Sequence, residues 1–187
     1  MSAKGFKGII ERINSVFSSE TNSPIITNSK DYKKVIIEGL SSLLKPLGYK
    51  RKGNVYTFLI NDLTYYISIQ SSQTSTAQRL KVTVNIEMSS AKLAAFRDER
   101  MPLNAHRNYH ERIGLYSDEK KDKWWQINNI QEAITASGQI NDLLLNKVLP
   151  ELDLFKSTDD LIAFWEKGNC RGITEFQRKY YLQLLST

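Results

Sequence analysis

From Val55 to Met88 the apolar residues of this chain recur at every second position, and no other feature limits its fold as much. Tyr56, Phe58 and Ile60 alternate with Val55, Thr57 and Leu59. After Asn61-Asp62, Tyr65, Ile67 and Ile69 alternate with Tyr66, Ser68 and Gln70. Beyond a Ser/Thr/Gln-rich stretch, Leu80, Val82, Val84, Ile86 and Met88 alternate with Lys81, Thr83, Asn85 and Glu87. Successive side chains of a strand point to opposite faces, so this period predicts three half-buried strands joined by short polar turns, an antiparallel meander. One face is apolar and needs helices over it. The other carries Tyr66, Ser68, Gln70, Lys81, Thr83, Asn85 and Glu87. Parity predicts Ile69 opposite Val82 and Ile67 opposite Val84, because a slip of one residue would scatter the apolar set over both faces.

Elsewhere the period is helical. Phe6, Ile9, Ile10, Ile13, Val16 and Phe17 predict an amphipathic helix over 5–18, and a polar stretch with Pro24 follows it. Residues 1–28 therefore read as a helix and linker appended to a single α+β domain over 29–187. A helix from Lys30 to Lys45 follows, capped by Asn28 or Ser29 and stopped by Pro46 and Gly48. Its apolar face is Tyr32, Val35, Ile36, Leu40, Leu43 and Leu44. A short helix over 91–99 takes Ser89 or Ser90 as its cap. Arg112–Tyr116 and Lys123–Ile127 read as two further strands around the turn SDEKKD. A helical region spans 130–149, weakened at Gly138 and ended by Pro150. Ser157 caps a helix over 158–167. Thr174 and Gln177 have capping-box spacing for a last helix with Phe176, Tyr180 and Leu184 on its apolar face. The fold class is α+β: an antiparallel sheet of about four to six strands with helices mainly on one face, plus N- and C-terminal helices.

With 187 residues and 41% hydrophobic composition the chain can bury a core without staples. Its one cysteine, Cys170, excludes an internal disulfide and fits a reducing, cytoplasmic setting. No stretch approaches the roughly 20 apolar residues of a membrane-spanning helix. The net charge of +6 is uneven: residues 1–60 hold ten Lys and Arg against four Asp and Glu, with a cluster at Lys45, Lys50, Arg51 and Lys52. Such a cluster can attract nucleic acid, anionic lipid or an acidic protein; a solvated basic face is the plainer reading.

Little here spells chemistry. His106 and His110 have the i, i+4 spacing of a metal pair, but Arg107 stands where a zinc-peptidase motif needs Glu. Two surface histidines explain them as well. Cys170, beside Arg171, could be a low-pKa nucleophile, yet no histidine lies near it in sequence. There is no phosphate-binding glycine loop, and no cofactor is implied. Trp124 and Trp125 must face opposite ways in a strand, so one belongs to the core. Aromatics beside cations at KRKGNVYTF and KDKWWQI loosely resemble a base-stacking surface. The candidate binding residues are Lys52, Asn54, Tyr66, Gln70, Asn85, Arg112, Trp124 and Trp125.

LKPLGYKRKGNVYTF, IQSS, KVTVNIEM, ERIGLY and DKWWQI occur in the order of a bacterial family catalogued as domain of unknown function 4304, and the chain resembles that family over roughly residues 32–165. The resemblance matches Gly48, Lys50, Gly53, Asn54, Gln70, Asn85, Arg112, Gly114, Asp122 and Trp124 or Trp125. Glu87 departs from it, standing where glycine or an apolar residue is usual. The resemblance implies the fold and no activity. Together these readings point to a non-enzymatic protein-interaction or immunity-like module with a protein partner or a second copy. Alternatives are a nucleic-acid binder using the basic N-terminal third, and an enzyme with an unrecognised site around Arg112, His106 or His110.

Overall fold

A computed structural model of the protein describes residues 28–96 and 107–186. The helix expected over 5–18, its linker as far as residue 27, residues 97–99 of the short helix expected over 91–99, and His106 lie outside the described residues. The elements run α1 (Ser29–Leu44), β1 (Lys50–Lys52), β2 (Val55–Ile60), β3 (Leu63–Ser71), β4 (Leu80–Ser90), α2 (Ala91–Ala95), β5 (Tyr109–Arg112) and β6 (Trp125–Ile127). They continue as α3 (Ile130–Leu143), α4 (Leu149–Leu152), α5 (Thr158–Glu166) and α6 (Glu175–Leu185). The six strands form one antiparallel sheet in the order β1-β2-β3-β4-β5, and β6 also pairs with β4. No described helix is long and apolar enough to cross a membrane.

The alternation sorts the sheet as its period demands. Tyr56, Leu63, Tyr65, Ile67, Ile69, Leu80, Val82, Val84, Ile86 and Met88 are buried on one face. Helices meet that face: Tyr56 donates its hydroxyl to Ile37 O of α1 at 2.8 Å, and Tyr65 donates to the carbonyls of Leu152 and Phe155. Ile36, Leu40 and Leu44 of α1 are fully buried there, each contributing about 1.5–3 kcal/mol. The caps are as expected: Asn28, Ser157 and Thr174 each close a capping box, with Asp31, Asp160 and Gln177.

The register between β3 and β4 differs from the expectation by two residues. Ile69 lies opposite Val84 and Ile67 opposite Ile86. A slip of two keeps every side chain on its face, so parity cannot detect it. The connecting loop decides. Ser72 N donates to Lys81 O, Thr76 N to Arg79 O, and Lys81 N to Ser75 Oγ, which carries the ladder on to Ser71 opposite Val82.

Four other expectations are corrected. The strand expected over Arg112–Tyr116 is instead β5, Tyr109–Arg112, and Ile113–Tyr116 is a tight helical turn rather than strand. β5 and β6 do not form a hairpin; they lie end to end along β4, opposite 85–88 and 80–82. Pro150 does not end the helical region. The widened turn Leu144–Val148 precedes it, and the helix resumes as α4 with proline in its first turn, where a missing N–H costs little. On α6 the buried residue is Tyr181, packed on Trp165 at 5.5 Å, while Phe176 is 78% exposed.

A polar knot ties the ends of β2, β4 and α5. Thr158 donates its N–H and hydroxyl to Asp62, and Ser90 Oγ sits 2.6 Å from the same hydroxyl. Burial alone would raise the Asp62 pKa, but the hydrogen bonds from Thr158 outweigh it and hold the carboxyl below its usual range. A depressed folded pKa contributes stability above the unfolded value of about 4, and that stability is lost as pH falls through the folded value. Urea unfolding across the acid range should therefore show a shallower acid limb for Asp62→Asn than for wild type. Identical limbs would remove Asp62 from the acid response.

Candidate binding face

The other face of the sheet is built in cross-strand rows. Lys52 pairs with Val55, Val55 with Ser68, Ser68 with Asn85 and Asn85 with Arg112. The neighbouring row is Lys50, Thr57, Tyr66, Glu87 and His110. Opposite residues in an antiparallel pair share a face, so both rows point away from the core. Most of their side chains are exposed or half-buried.

The polar groups on this face hold one another. Asn85 Nδ2 donates to Gln70 Oε1 at 3.0 Å. Arg112 bonds Asp122, which also accepts from Trp124 Nε1 at 3.1 Å. Thr83 is fully buried on this face and donates to Lys123 O at 2.9 Å. Two cations approach the Trp124 ring, Arg112 at 5.1 Å and Lys81 at 5.5 Å from its centroid. The Arg107 guanidinium sits 3.6 Å over the Tyr66 ring and bonds Glu87 at 2.8 Å. Both rings are thus already covered by the protein's own cations. What brings the 121–124 segment onto the face is Gly114: a β-carbon there would lie 2.3 Å from Lys121 O.

At the β5 end the face runs into an open cleft of about 460 Å³, lined among others by Glu87, Arg107, His110, Glu111, Gly172 and Gln177. The backbone of Gly172 accepts from His110 N at 2.7 Å and donates to Glu111 at 3.1 Å. Burial raises the Glu111 pKa, partly offset by that N–H and by Arg171. Among the described residues no group of three His, Cys, Asp or Glu is placed to hold a metal. Cys170 is not activated by Arg171. Its thiol donates to Glu175 at 2.8 Å, which pushes its pKa up, and Arg171 pairs instead with Glu151 at 2.8 Å.

Of the residues singled out from sequence, Tyr66, Gln70, Asn85, Arg112 and Trp124 come together on this face. Lys52 stands at its β1 rim. Asn54 sits in the β1–β2 turn, where its carbonyl accepts from Ile69 N. Trp125 is on the core side, 7% exposed, with its indole N–H on Gln139 Oε1 at 2.8 Å. His110 is exposed on β5. Sequence reasoning missed Arg107, which reaches the face from a loop with no periodic signal.

A family model described as Domain of unknown function (DUF4304) matches residues 40–154, inside the span of the resemblance noted above. No curated protein matches the chain, and no solved structure does.

Proposed function

The chain belongs to the DUF4304 family, and on that premise we propose that it is a non-enzymatic interaction module that binds a protein partner through the solvent face of its sheet. One observation carries the reading. Among the described residues, the helices that pack on the other side of the sheet leave this face open except at the β5 end, where Gln177 of α6 lines the cleft, yet its polar side chains are held in place by one another, Asn85 on Gln70 and Arg112 on Asp122. Groups fixed before binding lose less freedom on binding, and pre-organisation of this kind is what a recognition surface gains from. A neutralising, immunity-like role is one form of such binding, and a second copy of the chain is one possible partner. The covered rings of Tyr66 and Trp124 count against base stacking, so nucleic acid ranks below protein.

The test is a tagged pull-down from the native host after nuclease treatment, with wild type and the triple variant Gln70→Ala, Asn85→Ala, Arg112→Ala compared by quantitative mass spectrometry. The expected result is a stoichiometric protein that the variant loses by about tenfold or more, with its melting temperature within a few degrees of wild type. Undiminished capture by the variant would defeat the reading, as would material recovered only when nuclease is withheld.

A further inference from the structure

We infer that the partner of this face is an acidic protein surface, met by Lys50 and Lys52 at one end and Lys81 at the other; the inference rests on the binding face proposed above. The face carries five cationic side chains, Lys50, Lys52, Lys81, Arg107 and Arg112, against two carboxylates, Glu87 and Asp122. The two carboxylates are used: Glu87 pairs with Arg107 and Asp122 with Arg112. Among the described residues Lys50, Lys52 and Lys81 have no ion-pair partner; Lys81 has only the Trp124 ring. The positive charge left over is therefore lysine charge, carried on mobile, strongly hydrated ammonium groups rather than planar forks.

Spacing decides the size of what binds. Lys50 and Lys52 are two residues apart on one strand, about 7 Å, which matches alternate side chains of an extended acidic segment. The Lys52 row crosses β4 at Asn85, three strands away, about 14 Å. Lys81 lies four residues further along β4, roughly another 13 Å, so the two ends of the charge pattern are about 20 Å apart. No small anion spans that distance; a protein surface with separated carboxylates does. Between the ends the partner would meet Ser68, Gln70 and Asn85, which are neutral hydrogen-bonding groups. A chain of phosphates would bring charge to that neutral middle as well, and the rings of Tyr66 and Trp124 beside it already have cations against them.

The test is fluorescence anisotropy at low salt with two labelled probes of about 20 units, poly-L-glutamate and oligothymidylate, each long enough to cover the roughly 20 Å between the ends. The proteins are wild type, Lys50→Glu/Lys52→Glu/Lys81→Glu, and a control with equal charge change on the helical side, Lys34→Glu/Lys147→Glu/Lys167→Glu. Poly-L-glutamate should bind wild type, lose about tenfold or more on the face variant, and change by no more than about threefold on the control. Equal losses in the two variants would reduce the effect to net charge and overturn the inference. So would oligothymidylate binding more tightly than poly-L-glutamate at the same lysines, or neither probe binding. These failures leave the dependence of a captured protein on Gln70, Asn85 and Arg112 intact, so the binding face and its acidic partner stand or fall separately.

Discussion

Adding one methyl group at Gly114 should lower the unfolding free energy by about 3 kcal/mol and the melting temperature by roughly 5–10 °C. A β-carbon at this position would meet Lys121 O at 2.3 Å, Lys123 N at 2.5 Å and Lys123 Cβ at 2.7 Å. Two of those atoms are backbone, so no rotamer change relieves the contact and the 121–123 segment must move. That segment carries the acceptor for the buried Thr83 hydroxyl, and it carries Asp122, which holds Arg112 and Trp124. Leaving a buried hydroxyl unpaired adds about 1–3 kcal/mol to the steric cost. Gly114→Ala should therefore disturb the binding face as well as the fold, and partner capture should fall even below the melting temperature. Gly138 is the internal control. It lies within α3 with nothing inside 4 Å of a built β-carbon, so Gly138→Ala should stabilise by about 0.5–1 kcal/mol. Thermal unfolding of the two variants side by side decides; a Gly114→Ala protein melting with wild type would mean that the loop is not held where it is seen.

What was legible in the sequence follows from which signals are local. The faces of β2, β3 and β4 were legible because period two is written residue by residue, and the caps at Asn28, Ser157 and Thr174 because a cap is a four-residue pattern. The register was not, because a shift of two preserves parity and only the folded 72–79 loop distinguishes the choices. Strand five was misplaced for a related reason. Tyr109 to Ile113 alternates well enough to be strand, but the turn after it is imposed by Gly114 meeting Lys121, a contact made across seven residues. The exposed Phe176 shows the opposite failure. Helical spacing said only that Phe176 and Tyr180 share a stripe, whereas docking on Trp165 selected Tyr181.

The same division runs through the binding face. Gln70, Asn85 and Arg112 could be grouped from strand parity, and the split of Trp124 from Trp125 from the alternation of a strand. The pairing of Asn85 with Ser68 and Arg112, which makes a row of them, needed the true register. Arg107 had no signal at all, although its stacking on Tyr66 and bond to Glu87 decide that neither the ring nor the carboxylate is free. The basic run Lys50-Arg51-Lys52 also changes meaning. It is the edge strand of the sheet, exposed throughout, and cations on an edge strand discourage pairing with another sheet. Its charge serves solubility first, and only Lys50 and Lys52, not Arg51, share the binding face.

Gly172→Ala is the second substitution expected to cost about 3 kcal/mol, and its effect should be concentrated in the C-terminal helix. Gly172 has φ +76°, and a β-carbon would lie 2.6 Å from the Tyr109 ring, which is itself 1% exposed. The glycine anchors the strap that leads into α6, through His110 N on its carbonyl and its own N–H on Glu111. Beside it Arg171 pairs with Glu151 and covers the Tyr116 ring at 4.2 Å, while Tyr109 bonds both Tyr116 and Glu151. Lifting the strap breaks this network together and frees Trp165 from Tyr181. Hydrogen exchange should therefore show amides of 175–185 losing protection ahead of those in β3 and β4. The cost has two separable parts, backbone strain at positive φ of about 1 kcal/mol and collision with the ring. In a Tyr109→Leu background the collision is relieved and only the strain remains, so the same glycine substitution should cost about 1–2 kcal/mol less there than in wild type. A cost unchanged by removing the ring would show that φ alone requires the glycine, and that the strap is not seated on Tyr109.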